Sequence, residues 1–284
     1  MINSIDIITA NLGPALLVVF RLSGLALFAP VIGSPAVPMK VKALLVFLLG
    51  IATYPTLAAG PLAGAQVPLT LGALAPLIAC ELLVGAVIGF LAVLPMVAMQ
   101  MGGLVMGQQM GLGFARVYNP AMDDEGDVLE QSLFFLGLAS FLSVGGLEQM
   151  TLAVLRSFQF VTLGGAGDLI AIGGYGLDNG FVRLLTGVLL SATELALRVS
   201  APLVCLFFLE TVAMGFLSKS MPALSLMSLG FPLRIIMGLA VIVLGMGAIG
   251  EALAVFTYDD LDLLSRWFIA GEAIVGEVAT GGRS

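Results

Sequence analysis

Long apolar stretches, separated by short runs of proline, glycine and polar residues, set the pattern of this 284-residue chain. A helix needs about 20 predominantly apolar residues to cross the hydrocarbon core of a bilayer, and several stretches approach or exceed that length. The pattern therefore predicts an all-α, polytopic membrane-type protein built from helical hairpins. The predicted helices are residues 12–32, 43–59, 70–94, a methionine-rich helix after a kink at Pro95, 129–147, a shorter amphipathic piece with Arg156, 181–217, 233–257 and an amphipathic helix over 259–279.

A change of composition at residues 160–180 gives the best internal boundary. Seven glycines and two aspartates interrupt the apolar pattern there, and such runs are typical of loops between periodic segments. The sequence accordingly predicts a helical part over 1–160, a glycine-rich linker over 161–180, a helical hairpin over 181–257, and an amphipathic helix and tail over 258–284.

Residues 95–128 combine an apolar helix with an acidic loop. Gly103, Gly107 and Gly111 recur one turn apart, which opens one helix face to the close approach of another backbone. Six of the chain's 14 methionines fall in this stretch, and their flexible thioethers pack adaptably. One interpretation is a helix that holds a deformable loop, with its acidic run at 123–127, over a passage. The alternative is a packed helix with a solvated loop, and composition alone favours it.

The composition mainly excludes classes of function. Hydrophobic residues make up 60% of the chain and charged residues 10%, with a mean hydropathy of +1.12, whereas soluble domains average roughly 25% charged residues. The net charge is -7 without a basic cluster, so binding of nucleic acid is not expected. The chain has no histidine and no phosphate-binding loop, and Cys80 and Cys205 are expected to be buried free thiols. We therefore expect no catalytic, cofactor or metal site.

Ionisable residues interrupt the apolar segments, although each charge costs about 2.5 kcal/mol or more at the bilayer centre. Such groups should be buried against protein or lie in a wet cavity. They are Arg21, Glu81, Glu194, Arg198, Glu210 and Glu251.

Two interpretations of these charges stay open. Glu194 and Arg198 are four residues apart, a spacing that predicts an ion pair on a helix, and a pair that fixes helix register is the favoured interpretation. The alternative is an ion-coupled secondary transporter in which Glu81 joins them as a relay. That fold predicts two similar halves, and the regions before and after 160–180 differ in length and pattern.

Two short motifs are typical of intramembrane aspartyl proteases. Gly165-Ala166-Gly167-Asp168 spells GxGD and Tyr258-Asp259 spells YD, and an aspartic dyad needs two carboxylates close together in a desolvated site. The motifs occur in reversed order and the first lies in a polar loop, which favours a chance match.

Three stretches together carry a resemblance to a known family. They read FRLSGLALFAPVIGSPAVPMKVKALL (20–45), GQQMGLGFARVYNP (107–120) and FPLRIIMGL (231–239). The chain resembles the flagellar biosynthetic protein FliR family, which includes the injectisome export-gate homologues called SctT. The first stretch is the most specific, and the resemblance extends over nearly the whole chain in segment order and length.

The resemblance implies a non-enzymatic subunit of the type III export gate, which passes unfolded substrates through a channel. Residues 1–160 would be similar to a FliP-type subunit and the hairpin 181–257 to a FliQ-type one. The implied partners are FliP-type and FliQ-type subunits and an FlhB-type subunit on the cytoplasmic side. The implied location is the bacterial inner membrane, in a flagellar basal body rather than an injectisome.

The resemblance also implies roles for particular residues. Residues 107–127 would hold the plug loop that helps close the channel, and the ionisable groups would be buried at contacts with neighbouring subunits. The implied gate and plug residues are Met106, Met110, Gly111, Phe114, Arg116, Tyr118, Asn119, Pro120, Asp123 and Asp124. The implied subunit contacts are Arg21, Glu81, Glu194, Arg198 and Glu210.

Overall fold

A computed structural model describes residues 4–65, 67, 70–112, 128–161, 163, 180–220, 230–253 and 255–256. Among these residues every regular element is a helix, joined by turns and irregular segments, which confirms the predicted all-α class. The seven helices are α1 (Ser4–Phe28), α2 (Met39–Ala58), α3 (Leu71–Met110), α4 (Val128–Ser143), α5 (Gly146–Phe160), α6 (Gly180–Ser220) and α7 (Gly230–Leu253).

The helix α3 joins two segments that the sequence pattern predicts as separate helices on either side of Pro95. It runs for 40 residues through that proline without an end. A proline inside a helix removes one backbone hydrogen bond, and an apolar environment tolerates it where neighbouring turns and helices satisfy the freed groups. Prolines also lie inside α1, α2 and α6, at Pro14, Pro55 and Pro202.

Most other boundaries fall close to their predicted positions. The first helix ends at Phe28 rather than at residue 32, because a proline at position 30 disfavours helical geometry in the residue before it. The amphipathic piece with Arg156 is the helix α5, and it begins after Gly145, whose φ is 76°. The predicted helix over 259–279 and most of the predicted linker over 161–180 lie outside the described residues.

The chain divides into two compact units, and each is discontinuous in sequence. The described residues of the first unit lie within Met1–Val93 and Gly145–Val188, and those of the second lie within Leu94–Val144 and Leu189–Tyr258. The similarity of residues 1–160 to a FliP-type subunit, and of 181–257 to a FliQ-type one, stays a prediction.

Five of the described helices are long and apolar enough to cross a membrane, which agrees with the predicted polytopic composition. The five candidate spans are Asn11–Phe28, Met39–Ala58, Gly72–Met110, Leu185–Leu217 and Gly230–Leu253. The chain itself buries only 17% of the residues of the second span and 11% of those of the last. Most of the apolar surface of α2 and α7 is therefore left for other molecules to cover.

Candidate functional site

A buried ion pair lies within the first unit. The Nε of Arg21, on α1, donates a hydrogen bond to Oε2 of Glu81, on α3, at 2.5 Å. From the same guanidinium, Nη1 donates to Oγ of Ser157 at 2.9 Å and Nη2 to the carbonyl oxygen of Val161 at 3.1 Å. The guanidinium carbon lies 3.9 Å from the ring centroid of Phe158. One arginine thus joins α1, α3 and the end of α5.

Burial of this pair is complete, since the exposed fractions of the Arg21 and Glu81 side chains are 0% and 1%. The prediction that Arg21 faces protein is confirmed. A paired and hydrogen-bonded arginine keeps its charge neutralised within an apolar protein, whereas loss of one partner leaves an uncompensated buried charge. The pair therefore fixes three helices of the same chain relative to one another, and its burial needs no other subunit.

Glycines bring α1 and α3 close enough for this pair to form. A Cβ added to Gly85 would overlap the carbonyl oxygen of Arg21, and one added to Gly89 would lie 2.5 Å from the carbonyl oxygen of Leu25. On α1, a Cβ at Gly24 would overlap the carbonyl oxygen of Leu82. Gly85 and Gly89 are four residues apart, a spacing that predicts a helix contact on one face of α3. The contact is present, and it is the close backbone approach that small residues permit.

In the second unit, the end of α3 carries the described part of the predicted gate. The exposed fractions of the Met106 and Met110 side chains are 2% and 0%. Gly111 has a φ of 79°, and a Cβ there would lie 2.5 Å from Cε1 of Phe231. A Cβ at Gly238 would lie 2.7 Å from Sδ of Met110. The structure therefore brings Met110 and Gly111, from the described part of the stretch 107–120, against the stretch 231–239 on α7.

The rest of this half of α3 is held by glycine contacts as well. A Cβ at Gly103 would lie 2.7 Å from the carbonyl oxygen of Leu129 on α4, and one at Gly102 would lie 3.2 Å from that of Ala196 on α6. The predicted close approach of another backbone at Gly103 is confirmed. Its own chain thus covers one side of the methionine-rich part of α3, whereas the Met101 side chain is 51% exposed.

A second ion pair joins α6 to α7. Nε of Arg234 donates to Oε2 of Glu210 at 2.9 Å, and Nη2 of Arg234 donates to Oγ1 of Thr211 at 2.8 Å. The exposed fractions of the Glu210 and Arg234 side chains are 7% and 32%. The predicted burial of Glu210 is confirmed, but the sequence pattern predicts no partner for it. The sequence signal for this pair is Arg234, a cation on the next apolar helix.

The predicted pair between Glu194 and Arg198 is present, with a distance of 2.6 Å from Oε1 to Nη2. Their side chains are exposed, by 58% and 72%, so the chain itself does not bury them. That they lie at subunit contacts stays a prediction. Glu81, the third member of the proposed transporter relay, is paired with Arg21 instead.

A cavity of about 130 Å³ opens beside Met106 in the second unit. Its walls come from α3, α6 and α7, including Val199, Leu203 and Ile242, and are almost entirely apolar, with Arg198 as the charged exception. No group of three or more histidine, cysteine, aspartate or glutamate side chains lies together among the described residues. This lining suits apolar packing.

Several predicted residues lie outside the described residues. Among them are the protease candidates Asp168 and Asp259. The same holds for most of the predicted plug, namely Phe114, Arg116, Tyr118, Asn119, Pro120, Asp123 and Asp124. Their roles stay predictions.

Comparison with known proteins agrees with the resemblance read from the sequence. The family model described as bacterial export proteins, family 1, matches residues 12–258. The flagellar biosynthetic protein FliR of Escherichia coli is 30% identical over 222 residues, which cover 78% of this chain and 79% of that protein. FliR of Bacillus subtilis is 26% identical, with 84% and 88% covered. Yop proteins translocation protein T of Yersinia pestis is 28% identical, with 56% and 58% covered.

Proposed function

The chain belongs to the bacterial export proteins, family 1, and on that premise we propose that it is a non-enzymatic subunit of the type III protein export gate. It helps to form and close the channel through which unfolded flagellar substrates cross the bacterial inner membrane. The family match over residues 12–258 carries this proposal.

The distribution of apolar surface supports a place inside an assembly. On α6 the buried residues form one stripe at helical spacing, which includes Leu195, Val199, Leu203 and Phe207. The opposite side exposes large apolar side chains, among them Leu190, Leu197, Phe208, Leu209 and Phe216. A helix that is apolar all round belongs in a protein core or a membrane, so this face requires sister subunits or lipid.

We assign the covering surface to FliP-type and FliQ-type subunits, with an FlhB-type subunit on the cytoplasmic side. The exposed Glu194–Arg198 pair fits this arrangement, because a mutually neutralised pair costs less to bury at a subunit contact than a single charge. Within this proposal, residues 1–160 take the place of a FliP-type subunit and 181–257 that of a FliQ-type one. We assign the system served to a flagellar basal body, because the FliR relatives are named flagellar biosynthetic proteins.

The gate is assigned to the end of α3 and the segment that follows it. Met106 and Met110 are buried within the chain itself, with exposed fractions of 2% and 0%, so in this proposal their adaptable thioethers support the gate from within. Gly111 ends the helix. The plug itself consists of residues from Phe114 to Asp124 in this proposal.

Deletion of residues 113–120 tests the assignment, because it retains the helix end at Gly111 and removes most of the plug. The gate would be purified with its partners and placed in planar bilayers for conductance measurements. We expect ion leakage well above that of the unmodified gate, with all partners still present. A gate that stays as tight as the unmodified one would rule out the plug.

A further inference from the structure

The helix α2 contacts its own chain along one narrow stripe, where it packs on α1. The buried residues of this stripe are Val46, Gly50 and Leu57. The opposite side, which we call the outward face, consists of large apolar side chains that are each exposed by 50% or more, namely Val41, Leu44, Phe47, Leu48 and Ile51. The chain therefore leaves a continuous apolar face on α2 for another molecule to cover.

The sizes of the side chains on the two sides of α2 distinguish a contact with lipid from a contact with another helix. Helices that pack together in a membrane bring small residues to their interface, so that the backbones approach closely. The single glycine of α2, Gly50, lies on the buried stripe, where an added Cβ would be 2.5 Å from Cγ2 of Val19 on α1. The five residues of the outward face are all large. Such a face suits acyl chains and offers another backbone no close approach.

The hydroxyl groups of α2 are all satisfied within the chain. Oγ1 of Thr53 donates to the carbonyl oxygen of Leu49 at 2.8 Å, and Oγ1 of Thr56 donates to that of Thr53 at 2.7 Å. Oη of Tyr54 donates to Oδ1 of Asn11 on α1 at 2.8 Å. Hydrocarbon offers no hydrogen bonds, so polar groups that face it must find their partners inside the protein. The helix α2 meets this condition at every hydroxyl that it carries.

The charges of α2 are confined to its first turn. Lys40 is exposed, and Nζ of Lys42 donates to the carbonyl oxygen of Gly33 at 3.0 Å. No charged residue follows as far as Ala58. The 20 residues of the helix extend over about 30 Å, which matches the hydrocarbon core of a bilayer at about 30 Å. An exposed lysine at the end of such a helix reaches the headgroup layer, where its charge complements the anionic phosphates.

We propose that the outward face of α2 is a lipid-contacting surface within the assembled export gate, with phospholipid acyl chains against it and the Lys40 ammonium among the headgroup phosphates. This inference rests on the proposed function. It adds that the assembly leaves this face to the bilayer, whereas sister subunits cover the exposed face of α6.

Photocrosslinking from the outward face distinguishes lipid from protein. The photoreactive residue p-benzoylphenylalanine, which couples to neighbouring C–H bonds on irradiation, would replace Phe47 in cells that produce the complete gate. Isolation through a tag on the FliP-type subunit restricts the measurement to assembled chains. We expect mass spectrometry to detect the chain coupled to one phospholipid several-fold more often than the chain coupled to another subunit. Ile51, one turn further along the same face, supplies a second position with the same expectation.

The matched position is Phe208, an exposed phenylalanine on the α6 face that we assign to sister subunits. The same photoreactive residue should couple mainly to another subunit there. Mainly subunit adducts at Phe47 and Ile51, or no phospholipid adduct at either position, would overturn the inference. An absence of subunit adducts at Phe208 would instead contradict the covering of α6. If the tagged FliP-type subunit does not retain the unmodified chain, the proposed function itself fails.

Discussion

The ring of Phe231 lies so close to the backbone of Gly111 that a Cβ on the glycine would be 2.5 Å from Cε1 of the ring. These residues are 120 positions apart in the sequence, and they belong to two of the three stretches that carry the family resemblance. Their contact links the methionine-rich end of α3 to the hairpin helix α7. Gly111 is thus constrained both by its backbone conformation and by the ring.

Substitution of Gly111 by alanine should therefore destabilise the protein by two separate effects. A non-glycine residue in the left-handed region costs about 1–2 kcal/mol, and the added methyl group must also displace the Phe231 ring. We expect the midpoint of heat-induced aggregation in detergent to fall further than in Gly145→Ala. Gly145 has a φ of 76° but open space around its Cβ position, so it isolates the backbone cost.

Gly111→Ala should lower the aggregation midpoint more than Gly145→Ala does. This difference should shrink when both variants also carry Phe231→Ala, since the ring is then absent. Equal midpoints for the two single variants would contradict the close contact.

Removal of Arg21 from the buried Arg21–Glu81 pair should strongly lower the stability of the chain. Arg21→Met removes the cation that neutralises the buried carboxylate of Glu81, for which a fall of about 3–5 kcal/mol in the free energy of unfolding is typical. We expect a large fall in the aggregation midpoint, and a partial recovery when Glu81→Met is added. The control is Arg198→Met, which breaks an exposed pair and should change stability by about 1 kcal/mol or less. Similar midpoints for Arg21→Met and Arg198→Met would refute this account of the buried pair.

The glycine contact between α1 and α3 predicts a different outcome for two glycines of the same helix. A methyl group at Gly85 would overlap the backbone of α1, so Gly85→Ala should cost about 1–3 kcal/mol through overpacking. Gly72 has open space at its Cβ position, and Gly72→Ala should be neutral or stabilise by up to about 1 kcal/mol, as expected for alanine in a helix. The same aggregation assay checks both, and a stable Gly85→Ala variant would argue against the packing of α1 on α3.

Arg234 should not be replaceable by lysine without loss. The guanidinium reaches Glu210 with Nε and Thr211 with Nη2, and a single ammonium group lacks this fork. We expect Arg234→Lys to lower the aggregation midpoint moderately. Arg234→Met should lower it more, because the carboxylate of Glu210 then lacks its cation. Two variants as stable as the unmodified chain would show that the Glu210–Arg234 pair contributes nothing.

Local features of this structure were predictable from the sequence, and long-range pairings were not. Helical periodicity predicts that Gly85 and Gly89 share a face and that Glu194 and Arg198 form a pair, and both are present. Periodicity within one helix carries no information about which residue on another helix is opposite. For that reason the contacts of Arg21 with Ser157, 136 positions away, and of Glu210 with Arg234 were not foreseen.

The candidate site was predictable to a similar extent. The methionines and glycines of α3 mark it, because such a pattern favours close and adaptable packing. The part played by Phe231 was not foreseen, since an aromatic residue in an apolar helix has no local pattern that distinguishes a contact with a helix end from general packing. Only the fold brings Phe231 to Gly111.

The central claim is that this chain functions inside a larger export assembly that covers its exposed apolar faces. Native mass spectrometry of the tagged chain, extracted in mild detergent from cells that also produce the other export-gate subunits, tests it most directly. The account predicts a complex several times heavier than the 29.3 kDa chain, which contains FliP-type and FliQ-type subunits. A stable monomer of 29.3 kDa, recovered from cells in which protein export is active, would contradict it.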